Sequence, residues 1–205
     1  MTTRFLLARH ATCALTDLVL LGRSLDVPLD PRGWREAGAL AEKIAGEAPA
    51  LVYSSPRRRA RQTAQAIAAL APCPLRLADE LDEIDFGEWS GRPFSLLASE
   101  PRWRLWNAQR SAAATPAGVV IGAVQQRSVG FLERLASEHA GATLALVTHA
   151  EIVRALLLHY LHMPLDDWYC IEVGTASLSA LSIGPCGIRI DAINARAPFE
   201  ERVAA

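Results

Sequence analysis

The chain has 205 residues, 51% hydrophobic and only 21% charged, with a formal net charge of -1. That suits one folded domain over 1–205 with a sizeable core, and it excludes a disordered chain. The near-neutral balance gives no electrostatic basis for nucleic-acid binding.

The cysteines at 13, 73, 170 and 186 make neither a metal-ligand cluster nor a disulfide framework. The first apolar run ends at Arg9-His10, too short for a signal sequence, and no run has the length of a membrane span. A cytoplasmic protein is the expectation, with no membrane partner.

Phe5 to Ala8 reads as a short strand, and Arg9 and His10 arrive where it must end. Strand ends are rigid mounts, and in open α/β sheets ligands sit beyond them. The pair suggests phosphoryl chemistry, with a buried histidine beside a surface arginine as the plain alternative. Ala11 to Asp17 reads as a loop, and Leu21 to Leu29 as a surface excursion. Asp30-Pro31 starts a helix, Asp as N-cap and Pro in the first turn. Trp34, Ala37, Leu40, Ala41 and Ile44 repeat on one side of it.

Ala50 to Tyr53 is a second strand, and Ser54-Ser55-Pro56 reads as cap then proline. Arg57, Arg58, Arg59 and Arg61 crowd the next helix start. Most belong on a hydrated face, yet a helix N-terminus attracts anions, so one can turn toward a ligand. Leu75 to Leu77 is a weak third strand. Residues 79 to 117 combine acids (Asp79 to Glu88) with Phe86, Trp89, Phe94, Trp103 and Trp106, and read as an excursion over the site carrying one or two short helices.

Gly118 opens a long helix with Val120, Val124, Phe131, Leu132 and Leu135 on one side. Thr143 to Thr148 is a nearly continuous apolar run, as a central strand covered on both faces should be. His149 ends it, and Glu151 to Leu161 is the next helix. Two last strands, Ser177 to Ser182 and Ile188 to Ile193, precede a loose tail at Pro198 to Ala205. Alternating strands and helices imply a three-layer α/β sandwich, a mixed, mostly parallel sheet of about five or six strands with helices on both faces.

Four strings in this order resemble the histidine phosphatase family, in the branch that includes phosphoglycerate mutases and alpha-ribazole phosphatases. They are LLARHATCAL, YSSPRRRARQTA, LDEIDFGEWSG and LVTHAEIVRALL, with GRSLDVPLDPRG fitting the loop and helix start after the first. The resemblance implies a phosphoglycerate mutase-like fold and a phosphomonoesterase needing no metal or cofactor. Its substrate is a small-molecule phosphomonoester, and its assembly is compatible with a homodimer.

In that chemistry an imidazole attacks phosphorus, and water cleaves the phosphohistidine. His10 is the expected nucleophile, its far nitrogen donating to a backbone carbonyl. Arg9 and Arg59 are the expected clamps, Arg59 because it precedes Ala60 in the family string, with Arg57 and Arg58 solvated or at the rim. His149 is a fourth phosphate contact, held cationic beside the anion. Thr16, Ser55 and the amide of Ala150 are further candidates for phosphate or supporting contacts. The resemblance gives the acid-base role to Glu83; by residue type Asp82 and Asp85 are rivals, and a surface acidic cluster is the alternative.

The match departs after His10, where Ala11, Thr12, Cys13 and Thr16 replace the usual glycine, acidic or amide, hydroxyl and amide residues. Ala11 is tolerable only if its backbone is not left-handed. Mutase-type return of the phosphoryl group is the nearest rival activity, and a non-catalytic phospho-ligand or protein-binding module the rival from another class. His159 and His162 lack a third ligand and read as terminal or rim residues; His139 reads as exposed at a helix end. The five aromatics near Glu83 suggest a leaving group with an apolar or aromatic part, unless they simply pack the excursion.

Overall fold

The computed structural model describes residues 1–196, so the expected tail at Pro198 to Ala205 lies outside the described residues. The strands are β1 (Thr3–Arg9), β2 (Leu51–Ser54), β3 (Leu75–Leu77), β4 (Thr143–Thr148), β5 (Ser177–Gly184) and β6 (Gly187–Arg196). The α-helices are α1 (Pro31–Ala45), α2 (Arg58–Leu70), α3 (Phe94–Leu97), α4 (Pro101–Ala108), α5 (Ile121–Glu138) and α6 (Ala150–Tyr160).

The sheet order is β3-β2-β4-β1-β5-β6. β4 runs parallel to both β1 and β2, and β2 parallel to β3. β5 and β6 add an antiparallel edge, so the sheet is mixed and mostly parallel, as expected. Alternate side chains of β1 face opposite ways. Phe5 and Leu7 join the core under α5, α6 and the excursion, whereas Leu6 and Ala8 join the core under α1 and α2. Leu144 and Leu146 of β4 divide from Ala145 and Val147 in the same way. Two apolar layers on one sheet make the three-layer sandwich.

The start of α1 is as its sequence dictates: the Asp30 carboxylate accepts from the Gly33 amide at 2.7 Å, with Pro31 in the first turn. A Cβ on Gly33 would fall 1.8 Å from the Thr12 carbonyl oxygen, so glycine lets the loop after His10 lie on this helix. Ala37, Leu40, Ala41 and Ile44 are buried, but Trp34 is exposed.

Two helix starts differ from expectation. α2 begins at Arg58 rather than behind a serine cap, because Ser54 is still in β2 and the Ser55 hydroxyl is engaged elsewhere. α5 begins at Ile121 because Gly118 has φ +78°, a turn conformation, and its amide closes that turn on the Thr115 carbonyl.

The excursion carries α3, α4 and a 3-10 turn at Gly87–Trp89. Trp89 and Trp106 are fully buried in edge-to-face contacts with Trp103 and Phe86. These tryptophans therefore pack the segment on itself, and of the five aromatics only Phe86 and Phe94 reach the cavity lining. Among the described residues no helix is long and apolar enough to cross a membrane.

Candidate active site

β1 and β2 are consecutive in the chain but separated in the sheet by β4. The crevice beyond the carboxyl ends of three parallel strands is where such sheets hold ligands. The His10 amide donates to Thr148 O and the Ser55 amide to Val147 O, both at 2.9 Å, so the three strand ends are tied at fixed spacing. On them stand Arg9 and His10 from β1, Ser55 from β2 and His149 from β4.

A cavity of about 100 Å³ opens there. Arg9, His10, Thr16, Arg59, Glu83 and Ala150 are in its lining, with Val19, Leu20, Leu21, Phe86 and Phe94 as its apolar part. The Ala150 amide opens α6, where it has no acceptor within the helix.

His10 is buried, and its Nδ1 lies 2.8 Å from the Ala11 carbonyl. That acceptor assigns the proton to Nδ1 and leaves the Nε2 lone pair free to accept. Nε2 accepts from Arg59 Nε at 3.2 Å. Burial, then the charges of Arg59 and Arg9, hold the imidazole well below its ordinary pKa, so it is neutral.

Arg59 is only 1% exposed. Its Nη2 donates to the Gly22 carbonyl at 3.0 Å and lies 3.2 Å from His149 Nδ1. Its Nη1 is buried with no hydrogen-bond partner among the described residues. Gly22 has φ +54°, and a Cβ there would sit 2.7 Å from Ser90 Oγ, so glycine is what brings that carbonyl to the guanidinium. Arg9 is held from the other side, its Nη1 donating to Val173 O at 2.8 Å.

His149 lies behind this lining. It is fully buried, with Nε2 2.8 Å from Ser55 Oγ and Nδ1 3.5 Å from Glu83 Oε2. Burial, then the neighbouring charges of Arg59 and Arg9, hold it well below its ordinary pKa. The ring is neutral without an anion beside it; the expected cation is one that forms beside a bound anion. Ser55 takes the supporting position: it accepts from the Arg57 amide at 3.3 Å and donates to Asp82 Oδ1 at 3.4 Å.

The acidic rivals separate cleanly. Asp82 is gripped by Arg57 through Nε at 2.8 Å and Nη2 at 3.0 Å, and it accepts the Glu83 amide at 2.8 Å. Arg57 is therefore a structural partner and not a rim residue, a role its position in the arginine run does not signal. Asp85 accepts the Gly87 amide at 2.9 Å and does not line the cavity. Glu83 does line it, with Oε1 on the Ile84 amide at 2.9 Å and Oε2 4.0 Å from Arg59 Nη2. Burial pushes its pKa up to about 7 against the opposing pull of Arg59.

The loop after His10 also resolves. Ala11 is fully buried and its φ is not positive, so the missing glycine is accommodated. The Thr16 hydroxyl accepts the Cys13 amide at 2.9 Å and lies 3.2 Å from Cys13 Sγ. Its proton can serve the sulfur or the cavity. His159 and His162 are exposed, His139 is half-buried, and no metal-binding cluster occurs among the described residues.

Comparison with known proteins agrees with this geometry. The chain is 28% identical over 180 residues to phosphoserine phosphatase 1 of Hydrogenobacter thermophilus, covering 87% of this chain and 85% of that one. It is 27% identical over 197 residues to the adenosylcobalamin/alpha-ribazole phosphatase of Escherichia coli, covering 95% and 97%. The chain spans about half the length (49%) of mycobacterial relatives to which it is 31% identical. The solved mycobacterial glucosyl-3-phosphoglycerate phosphatase superposes with a TM-score of 0.85 at 25% identity, covering 95% of this chain and 100% of that one. Residues 5–196 match the family model for the histidine phosphatase superfamily (branch 1). With its strand-end His-Arg-Glu constellation inside that match, the chain belongs to branch 1 of the histidine phosphatase superfamily.

Proposed function

We propose that the protein is a metal-independent phosphomonoesterase acting on a small phosphate monoester through a phosphohistidine at His10. The carrying observation is the pairing of a neutral His10, lone pair on Nε2, with a Glu83 carboxyl that is half protonated near pH 7. Arg9 and Arg59 supply the positive charge for the equatorial oxygens, and the unpartnered Arg59 Nη1 is a donor ready for one of them. The Ala150 amide and Thr16 hydroxyl are candidate donors from the cavity wall.

In the first transfer the Nε2 lone pair bonds to phosphorus, the ester P–O bond breaks, and Glu83 gives its proton to the departing alkoxide. The alcohol leaves. In the second, Glu83 carboxylate takes a proton from water, the oxygen bonds to phosphorus, and the P–N pair returns to Nε2. Substrate must first draw Arg59 Nε away from His10, so phosphate binding itself frees the nucleophile. The arriving dianion also raises the proton affinity of His149, which then stands as a cation behind Arg59.

The test is hydrolysis of an aryl phosphate in excess chelator, with an alkaline quench to preserve the phosphoenzyme. Label on wild type and none on His10→Ala is expected. Full turnover by His10→Ala, or stoichiometric binding with no phosphate release across a broad substrate panel, would sink the proposal.

A further inference from the structure

The cavity at His10 has a polar neighbour. Arg9, Thr16 and Asp17 line both it and a second cavity of about 430 Å³ on the other side of Arg9. We propose that this second cavity binds an anionic group, a phosphate or carboxylate. Either the distal end of a substrate or a free anion supplies it; the first source rests on the phosphatase reading above.

The chemistry of the lining carries the proposal. Four arginines, Arg9, Arg32, Arg154 and Arg196, converge from four segments distant in sequence, with Asp17 and Glu172 in the same lining; Arg32 also pairs with Glu36 at 2.9 Å and Arg154 with Glu151 at 3.6 Å. Arg9 Nε is buried and has no hydrogen-bond partner among the described residues, an arrangement that is costly without a ligand. Its guanidinium cannot turn away to water, because Nη1 is fixed on the Val173 carbonyl. Arg154 is likewise pinned, its Nε donating to Ile171 O at 2.8 Å.

The remaining groups are placed to donate. Thr12 Oγ1 donates to Thr175 Oγ1 at 3.0 Å, which leaves the Thr175 proton for a ligand. Arg196 lies against the backbone at Gly174, where a Cβ would fall 2.3 Å from its Nη2. Only glycine allows that approach. The Arg196–Glu172 pair at 3.0 Å is largely exposed on both sides, so it is weak and exchangeable for a better anion.

Two measurements test this on the whole chain. Calorimetry with inorganic phosphate alone counts sites: two per wild-type chain are expected, with the second lost or weakened about tenfold in Arg196→Gln and Thr175→Val. Both residues lie at the surface or half-buried, so folding is not at risk. Kinetics with diol bisphosphates of increasing chain length, against hydroxyl-ended monophosphates of equal length, reads the source. A kcat/KM preference of about tenfold for the bisphosphate, removed by Arg196→Gln, assigns the cavity to the substrate's distal end. Two phosphate sites without that preference, with added sulfate shifting KM for an aryl phosphate, assign it to a free anion. A single phosphate site, or a second one indifferent to both substitutions, overturns the proposal. Failure of the phosphatase reading is separable: aryl phosphate is then not hydrolysed while the two sites still bind.

Discussion

The two halves of the active-site cavity are built differently. The strand-end half, with Arg9, His10 and the supporting His149, is fixed by backbone hydrogen bonds between β1, β2 and β4. The excursion half, with Glu83 and Phe86, is fixed by an aromatic cluster and by the grip of Arg57 on Asp82. Burial acts oppositely on the two. It disfavours the proton on the imidazoles and favours one on the carboxyl, so one buried enclosure tunes both the proposed nucleophile and the proposed acid.

The strongest break in this comparison is His10→Ala. It removes the protein atom proposed to bond phosphorus, and turnover should fall by about three orders of magnitude or more on every substrate. Steady-state hydrolysis of aryl and alkyl phosphates checks it. The fold should persist, because the strand-end amide bonds do not involve the ring.

Trp106→Ala strikes the other half and should do the reverse. Trp106 is 1% exposed and carries the Arg110 guanidinium 3.6 Å from its ring centroid. Arg110 in turn holds Glu151 at 2.8 Å, on the cavity wall. Truncation should cost about 4 kcal/mol of stability, measured by urea titration. KM for an aryl phosphate should move far less than stability does, since Trp106 does not line the cavity. A large KM rise at unchanged stability would restore the substrate-stacking role that the packing now argues against.

Glu83→Gln tests the acid. Loss of general acid should cost about a hundredfold with alkyl leaving groups and much less with aryl ones, which depart unaided. In wild type, kcat/KM for alkyl substrates should fall as pH rises through about 7, while the acid limb lies below the ordinary histidine range. Stability follows the same group. A carboxyl raised from 4.5 to about 7 binds its proton more tightly folded than unfolded. Its contribution is therefore complete below 4.5 and lost as pH rises through 7, by about 3 kcal/mol in all. Thermal melts at pH 5 and pH 8 should show wild type falling relative to Glu83→Gln; parallel curves would show the carboxyl is not buried as described.

How far these halves could be read from residues alone also differs. Apolar runs and alternation located each strand of the described residues, and Asp30-Pro31 located the start of α1, because these signals are local. The α2 start was not legible, since Ser55 reaches only the Arg57 amide ahead of the helix while it holds a histidine 94 positions away. Gly118 misled because its φ depends on a turn closed by Thr115. Arg9, His10, Arg59, Glu83 and His149 could be named together because their strings, in order, resemble one family, which also chose Glu83 over Asp82 and Asp85. Arg57 and Asp82, and the four arginines of the second cavity, could not: their meaning arises only where distant segments meet.

The smallest expected effect falls on the first residue to depart from the family pattern. Ala11 carries its methyl into the core under α1 and α2, fully buried, with its amide donating to Thr63 Oγ1 at 3.1 Å. Its φ is not in the left-handed region, so glycine would relieve no strain there. Ala11→Gly loses a buried methyl and adds unfolded-state freedom, together about 1 kcal/mol of destabilisation. The Ala11 carbonyl that orients His10 is backbone and survives the change. Turnover should therefore stay within about twofold, because the interaction that places the Nε2 lone pair is intact. A marked gain in turnover would mean that the loop needs a backbone freedom alanine denies it. The departure at this position would then be a brake on the strand-end half rather than a neutral filling of its core.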